Sequence, residues 1–292
     1  MNTAMDAPVG VRLRLAHGFL EHLAHSRGIR LLHIKGVALH PLLRERRHPS
    51  TDCDVLVHPD DVAAFTEGLS ASGWDRLTRF EHGSVFRHAA TYHSEVWGTV
   101  DVHRCFPGID RDPRSAFEQA WERREHVELG GRLCAVPDLE MQRLVLLLHA
   151  ARDREGRRAG DVDAAWHRAS TAERERIDAL ADRLGATVPL ALATGRPERA
   201  HGLPGERVWD ALGRGADPTE VWWARLHDAR GPRARARVLV SALHVNPDHL
   251  RLRLGHVPTE AELRHEWWAR WRRLLNHSSR LLRRDRGGSA GR

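Results

Sequence analysis

The sequence predicts an α+β protein in which a mixed sheet with flanking helices is followed by a helical C-terminal region. Strand patterns occur between Leu31 and Val136 and are interleaved with helical patterns, whereas strand patterns nearly vanish from Pro137 onward. At 292 residues the chain is long enough for one large or two modest domains with hydrophobic cores. We therefore predict an α/β domain over 1–136, a helical domain over 137–284 and a disordered tail over 285–292.

A helix and a strand open the chain. Apolar residues recur at helical spacing over Val9–Ser26 and predict an amphipathic helix that covers the sheet. Leu31–Ile34 form a short β-compatible run. Gly36 ends that run, because glycine adopts backbone angles that a side chain forbids. The apolar residues from Val37 to Leu43 recur near helical spacing and predict a short helix before the next strand.

The next strand opens with two carboxylates. Because side chains alternate between the faces of a strand, Asp52 and Asp54 project to one side and Cys53 to the other. Two carboxylates held a few ångströms apart repel each other unless a positive charge lies between them. A divalent cation with oxygen ligands satisfies that need, and Mg²⁺ is commonly bound by one or two carboxylates together with substrate phosphates. The alternative interpretation is a solvated strand end without a metal.

The chain contains two further Asp-x-Asp triplets with other predicted uses. Asp110 and Asp112 lie in a turn between glycine and proline, where aspartate caps backbone groups. Asp161 and Asp163 open a predicted helix, where carboxylates suit the helix dipole. Only the pair at Asp52 begins an apolar strand, so the prediction of a metal site rests on that pair.

Lys35 is the only lysine in a chain with 46 basic residues. It stands at the end of the first predicted strand, beside Gly36. A compact ammonium suits contact with a phosphate or a carboxylate where a planar guanidinium does not fit. We therefore predict contact between Lys35 and either a phosphate or the carboxylates; the alternative is a single exposed lysine without a role.

The remaining elements follow from local patterns. Residues 58–61 begin a helix that ends near Gly73. The next three segments predict strands, and in the last of them Asp101 and His103 share one face. Gly130 closes a predicted hairpin. The predicted strands are 74–80, 85–92 and 96–106, and the predicted helices after them are 116–124, 138–152, 161–169 and 171–184, with two more helices after caps at Asp217 and Thr259.

The composition limits the class of protein and its location. Hydrophobic residues make up 41% and charged residues 29% of the chain, as in globular proteins. No apolar run approaches the length of a membrane span, and the N-terminus lacks a signal-peptide pattern, so we expect a cytoplasmic protein. Cys53, Cys105 and Cys134 show no paired spacing, which argues against a zinc site or a disulfide framework and predicts reduced, buried thiols.

The net charge of +7 raises the question of a nucleic-acid partner. The arginines are spread along the chain and interleaved with Asp and Glu, and we find no zinc finger, RNA-binding aromatic pattern or helix-turn-helix spacing. Charge alone does not establish such a partner, so nucleic acid stays an alternative.

The order of these motifs resembles the uncharacterised bacterial nucleotidyltransferase-like proteins of the polymerase-β-type superfamily. The shared features are a Lys-Gly pair after a strand, a helix with Ala-Leu, and Asp-x-Asp followed by two hydrophobic residues. Residues 58–75, 99–106 and 144–166 continue the resemblance, which covers roughly the N-terminal two-thirds. In one departure, Lys35-Gly36 stands where the superfamily usually has Gly-Ser.

The resemblance implies a metal-dependent nucleotidyltransferase that moves a nucleoside monophosphate from an NTP such as ATP to a hydroxyl or phosphate of a small-molecule, peptide or protein acceptor. Asp52, Asp54 and Asp101 would be catalytic and would bind two Mg²⁺ ions, for which Mn²⁺ could substitute. The expected nucleotide contacts are Lys35, Gly36, Arg46 and Arg47.

His103 and His149 are acceptor-side candidates, and the alternative for each is a structural packing role. The departure at Lys35-Gly36 also leaves a second hypothesis for the whole chain. It is a non-catalytic binding module that keeps the nucleotidyltransferase fold and recognises a peptide, a protein or a nucleic acid.

Overall fold

A computed structural model describes residues 7–45, 50–83, 86–153 and 158–272. The fold is α+β, as predicted: a five-stranded mixed sheet with flanking helices is followed by a helical C-terminal region. The strands are β1 Leu31–Ile34, β2 Asp52–Val57, β3 Asp75–Arg76, β4 Ala89–Ser94, β5 Gly98–His103, β6 Glu125–Leu129 and β7 Arg132–Val136.

The helices flank the sheet and then form the C-terminal region. They are α1 Val9–Ser26, α2 Pro41–Arg44, α3 Val62–Ala71, α4 Phe80–Gly83, α5 Pro113–Glu122, α6 Leu139–Ala150, α7 Ala159–Val162, α8 Thr171–Leu184, α9 Thr187–Ala193, α10 Glu206–Gly213, α11 Pro218–Asp228, α12 Pro232–Leu243 and α13 Pro247–Leu254. A further helical stretch covers 260–272. The predicted tail over 285–292 lies outside the described residues.

The sheet has the strand order β1-β2-β5-β4-β3. Strand β1 pairs with β2 in the antiparallel sense, β2 pairs with β5 in the parallel sense, and β4 pairs with both β5 and β3 in the antiparallel sense. Strands β6 and β7 form the separate predicted hairpin, closed by Gly130 and Gly131, both of which have positive φ. The parallel pair β2–β5 lies at the centre of the sheet.

The prediction of a strand over 74–80 is wrong for most of its length. Only Asp75 and Arg76 form β3, and Phe80 already begins α4. The backbone N–H groups of Leu77 and Thr78 both donate to the carbonyl of Thr91, at 2.8 and 3.2 Å. Two residues facing one partner interrupt a regular ladder, as in a β-bulge. The strand predicted over 85–92 is likewise displaced and covers Ala89–Ser94.

Two hydrophobic cores lie on the two faces of the sheet. On one face, Leu32 and Ile34 of β1 belong to a buried cluster that includes Leu146 of α6 and Ile177 of α8. On the other face, Leu31 lies in a cluster built on α1, α3 and the sheet. The side chains of β1 therefore alternate between two cores, which fixes the register of this strand. The division of the chain into domains at residue 136 stays a prediction.

One aspartate of each other triplet lies at the start of a helix. Asp112 caps α5, and its carboxylate accepts a hydrogen bond from the backbone N–H of Ser115 at 3.0 Å. Asp161 lies in the first turn of α7, where a carboxylate suits the helix dipole. Among the described residues, no helix combines the length and the apolar character that a bilayer crossing needs.

Candidate active site

The central parallel strand pair brings two of the predicted carboxylates together. In the register of β2 and β5, Asp54 lies directly beside Asp101. Asp52 is two residues before Asp54 on β2, so it projects from the same face of the sheet. A ligand atom from each of Asp54, Asp101 and His103 lies within 4.8 Å of the other two. The predicted convergence of distant acidic residues on one face is thus present.

Lys35 neutralises the central carboxylate. Its ammonium Nζ donates to Asp54 Oδ1 at 2.5 Å, and both side chains are more than nine-tenths buried. Lys35 has φ 61° and ψ −175°, a backbone conformation that is essentially restricted to glycine and costs about 1–3 kcal/mol for other residues. The surrounding fold therefore holds this ammonium against Asp54 despite the strain.

His103 makes the second contact with the same oxygen. Its Nε2 lies 2.8 Å from Asp54 Oδ1 and donates to it, since a carboxylate only accepts. Burial alone would raise the pKa of Asp54, but the nearby Lys35 charge and the His103 hydrogen bond hold this pKa well below its usual range. Asp54 is therefore ionised throughout the physiological range of pH.

The pKa of Asp52 is shifted in the opposite direction to that of Asp54. Burial raises the pKa of its carboxyl group, and the negative charges of Asp54 and Asp101 raise it further, against a hydrogen bond from Ser50. The Ser50 hydroxyl donates to Asp52 Oδ1 at 2.9 Å. The carboxylates on this face of the sheet therefore repel one another, although Lys35 neutralises Asp54.

This donor set fits a hard divalent cation. Carboxylate oxygens are preferred ligands of Mg²⁺, and a cation shared by Asp52, Asp54 and Asp101 would remove the repulsion that raises the pKa of Asp52. Asp101 is also held in place, because the hydroxyl of Thr91 donates to its Oδ1 at 2.7 Å. The residues present could therefore bind the metal that the sequence predicts.

Gly36 provides the tight turn after Lys35. It has φ 53°, and a Cβ atom added here would lie 3.1 Å from both Cβ and Oγ of Ser50. The turn after β1 thus lies directly against the residues that lead into β2. Arg46 and Arg47, the other predicted nucleotide contacts, lie outside the described residues.

We predict that Gly36→Ala destabilises the fold more than Gly73→Ala does. Both glycines have positive φ, but an added Cβ at Gly73 has no heavy atom within 4 Å. Gly73→Ala should therefore show only the backbone cost of about 1–2 kcal/mol. At Gly36 crowding against Ser50 adds to that cost. Denaturant unfolding of the two variants measures the difference, and equal losses would contradict the described contact with Ser50.

The structure adds residues that sequence patterns did not single out. The guanidinium of Arg152, just after α6, is near enough to Asp54 and Asp101 for their charges to raise its pKa. Burial and the neighbouring Arg158 outweigh them and lower that pKa to about 10. His88, just before β4, packs against His103 with ring centroids 5.2 Å apart. Arg152 lies inside a motif that the resemblance covered, but nothing in its spacing distinguished it from the other arginines.

His149 lies in the last turn of α6, three residues before Arg152. Its Nδ1 is 3.9 Å from Asp161 Oδ2. Burial lowers the pKa of His149 to about 3, and the positive charge of Lys35 contributes to that shift. His149 is therefore neutral in the folded protein, and it is close enough to Lys35 for the two side chains to interact electrostatically. Its acceptor-side role stays a prediction.

Because the pKa of His149 is lower in the folded chain than in the unfolded chain, we predict that His149 lowers the stability of the fold in mild acid. The unfolded chain binds a proton at His149 below about pH 6.5, whereas the folded chain binds it only near pH 3. The stability contributed by the neutral ring is therefore present above pH 6.5 and is lost as pH falls. Between pH 7.5 and pH 5.5 the wild type should lose about 1.4 kcal/mol more unfolding free energy than His149→Leu. Equal losses in urea unfolding would contradict a buried, neutral His149.

Comparison with known proteins identifies a family. The model of an uncharacterised nucleotidyltransferase family matches residues 15–199, which include every described residue of the site. No curated protein matches the chain.

The solved structures that are similar to this chain include the following two. One is the lincosamide antibiotic adenylyltransferase LnuA in its lincomycin-bound form, at 15% identity and a TM-score of 0.36, covering 51% of this chain and 92% of that one. The other is an antigenic nucleotidyltransferase-like protein from Paracoccidioides brasiliensis, at 15% identity and a TM-score of 0.39, covering 63% of this chain and 93% of that one. The family model spans well over half of the sequence, and the chain therefore belongs to this uncharacterised nucleotidyltransferase family.

Proposed function

We propose that the protein transfers a nucleoside monophosphate from an NTP to a hydroxyl or phosphate group of a small-molecule, peptide or protein acceptor, in a reaction that requires Mg²⁺. The observation that supports this most strongly is the convergence of Asp52, Asp54 and Asp101 on one face of the sheet, with the Lys35 ammonium 2.5 Å from Asp54. Three carboxylates with one fixed cation are suited to holding metal ions and a polyphosphate together.

The basic side chains of the site bind the nucleotide in this proposal. Lys35 and Arg152 both act electrostatically on Asp54, so they lie where phosphates would approach the carboxylates. Lys35 supplies a compact positive charge, and the guanidinium of Arg152 can contact two phosphate oxygens at once. Because Lys35 is already fixed by Asp54, little side-chain freedom is lost when a phosphate binds.

The acceptor reacts on the side of Asp101. The acceptor oxygen forms a bond to the α-phosphorus of the NTP, and the bond from that phosphorus to the pyrophosphate oxygen breaks. Where the acceptor is a hydroxyl, Asp101 takes its proton. Thr91 orients the Asp101 carboxylate through a 2.7 Å hydrogen bond, and His103 orients Asp54.

The carboxylates Asp52, Asp54 and Asp101 would hold the Mg²⁺ ions. When bound, Mg²⁺ neutralises the negative charge that develops on the phosphates and on the leaving pyrophosphate. The helices after residue 137 bring Arg152 and His149 toward this cluster, so we propose that the helical region selects the acceptor.

A second candidate is the non-catalytic binding module. The observation that favours it is the buried Lys35–Asp54 pair, which neutralises Asp54 without any metal. In that case the face with the carboxylates would recognise a peptide, a protein or a nucleic acid and would consume no NTP. The basic net charge of +7 makes nucleic acid one ligand to test.

The two candidates differ in pyrophosphate release. The protein is incubated with Mg²⁺, each α-labelled NTP in turn, and a mixed pool of small molecules and peptides as acceptors. We expect pyrophosphate release and labelled acceptor for the wild type and for Asp163→Asn, whose side chain is 48% exposed and pairs with Arg168. We expect neither product for Asp101→Asn.

Release that persists in Asp101→Asn would overturn the catalytic proposal. Salt-sensitive binding of DNA or RNA by the wild type, without consumption of any NTP, would favour the binding module.

A further inference from the structure

A second cluster of metal-ligating side chains lies on the opposite face of the sheet. His33 is next to Ile34 on β1, so its side chain projects away from the side on which Ile34 pairs with Asp54. A ligand atom from each of Glu21, His33 and Cys134 lies within 4.8 Å of the other two. These residues come from α1, β1 and β7. None of them takes part in the nucleotidyl transfer proposed above.

The close approach of α1 to the β6–β7 hairpin builds this cluster. A Cβ atom added at Gly18 would lie 2.8 Å from the carbonyl oxygen of Gly130, and one added at Gly130 would lie 2.6 Å from that of Arg14. Larger residues at either position would push the hairpin away from the helix. The two glycines thus allow the Cys134 thiol to reach the backbone of α1, where its Sγ is 3.8 Å from the carbonyl oxygen of His17.

His33 is already oriented as a ligand would be. Its Nε2 lies 3.0 Å from Glu21 Oε2, and its Nδ1 lies 2.7 Å from His17 Nδ1. Metal-binding histidines usually use the second ring nitrogen to hydrogen-bond a neighbouring group, which fixes the tautomer and the ring plane. His17 can serve as that neighbour, because its fully buried ring packs against His33 with ring centroids 4.9 Å apart.

The cluster is not satisfied by its own contacts. The Cys134 thiol makes only long contacts of 3.8 and 4.0 Å with backbone carbonyls in the described part of the chain. Buried polar groups that lack full partners call for an explanation, and a missing ion is one of them.

We propose that Glu21, His33 and Cys134 bind one Zn²⁺ ion. A thiolate, an imidazole and a carboxylate are together a ligand set typical of zinc, and water can complete a four-coordinate site. On binding, the Cys134 thiol releases its proton to solvent. Both histidine rings change tautomer: His33 binds the ion through Nε2 and carries its single ring proton on Nδ1, which donates to His17 Nδ1, and His17 carries its own on Nε2. The side chain of Glu21 is 20% exposed, which gives the ion a route from solvent.

This ion has a structural role and lies outside the nucleotide site. The ion would link α1, β1 and the β6–β7 hairpin. Its ligand on β1, His33, is two residues before the strained Lys35. Zinc would therefore stabilise the end of β1 that carries Lys35. The inference does not depend on the proposed transferase activity, and its test can succeed or fail independently of that activity.

Cobalt(II) is the probe that distinguishes this site from the carboxylates. A thiolate bound to Co²⁺ gives a near-ultraviolet charge-transfer absorption, which ligation by Asp54, Asp101 and His103 cannot give. Titration of the metal-free full chain with Co²⁺ should develop this absorption to one equivalent, and Zn²⁺ should displace it. Cys134→Ser should abolish the absorption and weaken Zn²⁺ binding at least about a hundredfold.

Two matched variants complete the test. Cys105→Ser, at a thiol outside the cluster, should keep the absorption unchanged. His17→Phe should keep the absorption and weaken Zn²⁺ binding about tenfold to a hundredfold, because it removes only the group that orients His33. No thiolate absorption in the folded wild type, or its persistence in Cys134→Ser, would overturn the zinc proposal. Should Cys134→Ser fail to fold, the wild-type titration still decides the outcome.

Discussion

Asp54→Asn is expected to lower nucleotidyl transfer by about a thousandfold. Asp54 is the central carboxylate of the site, since it lies beside Asp101 on the neighbouring strand and two residues after Asp52. The neutral amide would lose the negative charge that holds both the metal and Lys35. Stabilisation of charge by a metal-carboxylate unit is worth several kcal/mol, and a loss of about 4 kcal/mol corresponds to that factor.

The control for this variant must separate chemistry from folding. Rates are compared at a temperature at which circular dichroism shows Asp54→Asn to be folded, and Asp163→Asn serves as a second aspartate exchange at an exposed position. If folded Asp54→Asn transfers the nucleotide within tenfold of the wild-type rate, Asp54 does not belong to the catalytic centre.

Breaking the Lys35–Asp54 pair should have the largest effect on stability. Lys35→Met leaves a buried carboxylate and Asp54→Asn leaves a buried ammonium, and removing one partner of a buried pair costs about 3–5 kcal/mol. The double variant should lose less than the sum of the two single losses, because neither charge is then left alone. We expect a coupling free energy of about 2–3 kcal/mol from urea unfolding of the four proteins.

An exposed pair in the same chain provides the comparison. Arg214 and Glu220 are 2.8 Å apart, with side chains 46% and 42% exposed. Water screens such a pair, so its coupling should stay below about 1 kcal/mol in the same kind of cycle. Similar coupling energies for the two pairs would mean that Lys35 and Asp54 are solvated, contrary to the described burial.

Local sequence patterns predicted much of the sheet and of the site. The two-residue period of a strand placed Asp52 and Asp54 on one face, and the turn pattern predicted a backbone-capping role for Asp112, which the structure shows at the start of α5. The position of Asp101 was predicted from a resemblance, since no local pattern shows which strands pair. The parallel register with β2 is a long-range property that only the assembled sheet reveals.

Other features of the site depend on contacts between distant segments. Arg152 is one of many arginines in the sequence, and only the packing of α6 on the sheet brings it near Asp54. The sequence analysis argued against a zinc site from the spacing of the cysteines. Such spacing reveals only ligands that lie within one short segment of the chain. Glu21, His33 and Cys134 come from three separate elements, so no sequence spacing could unite them.

A structure of the protein soaked with Mn²⁺ and a non-hydrolysable NTP analogue would show whether the three carboxylates bind a metal ion together with a nucleotide. We predict anomalous signal for manganese among the carboxylates of Asp52, Asp54 and Asp101, with phosphates of the analogue bound to it and contacting Lys35. Manganese and nucleotide bound elsewhere, or a folded site that takes up neither at saturating concentration, would contradict this prediction.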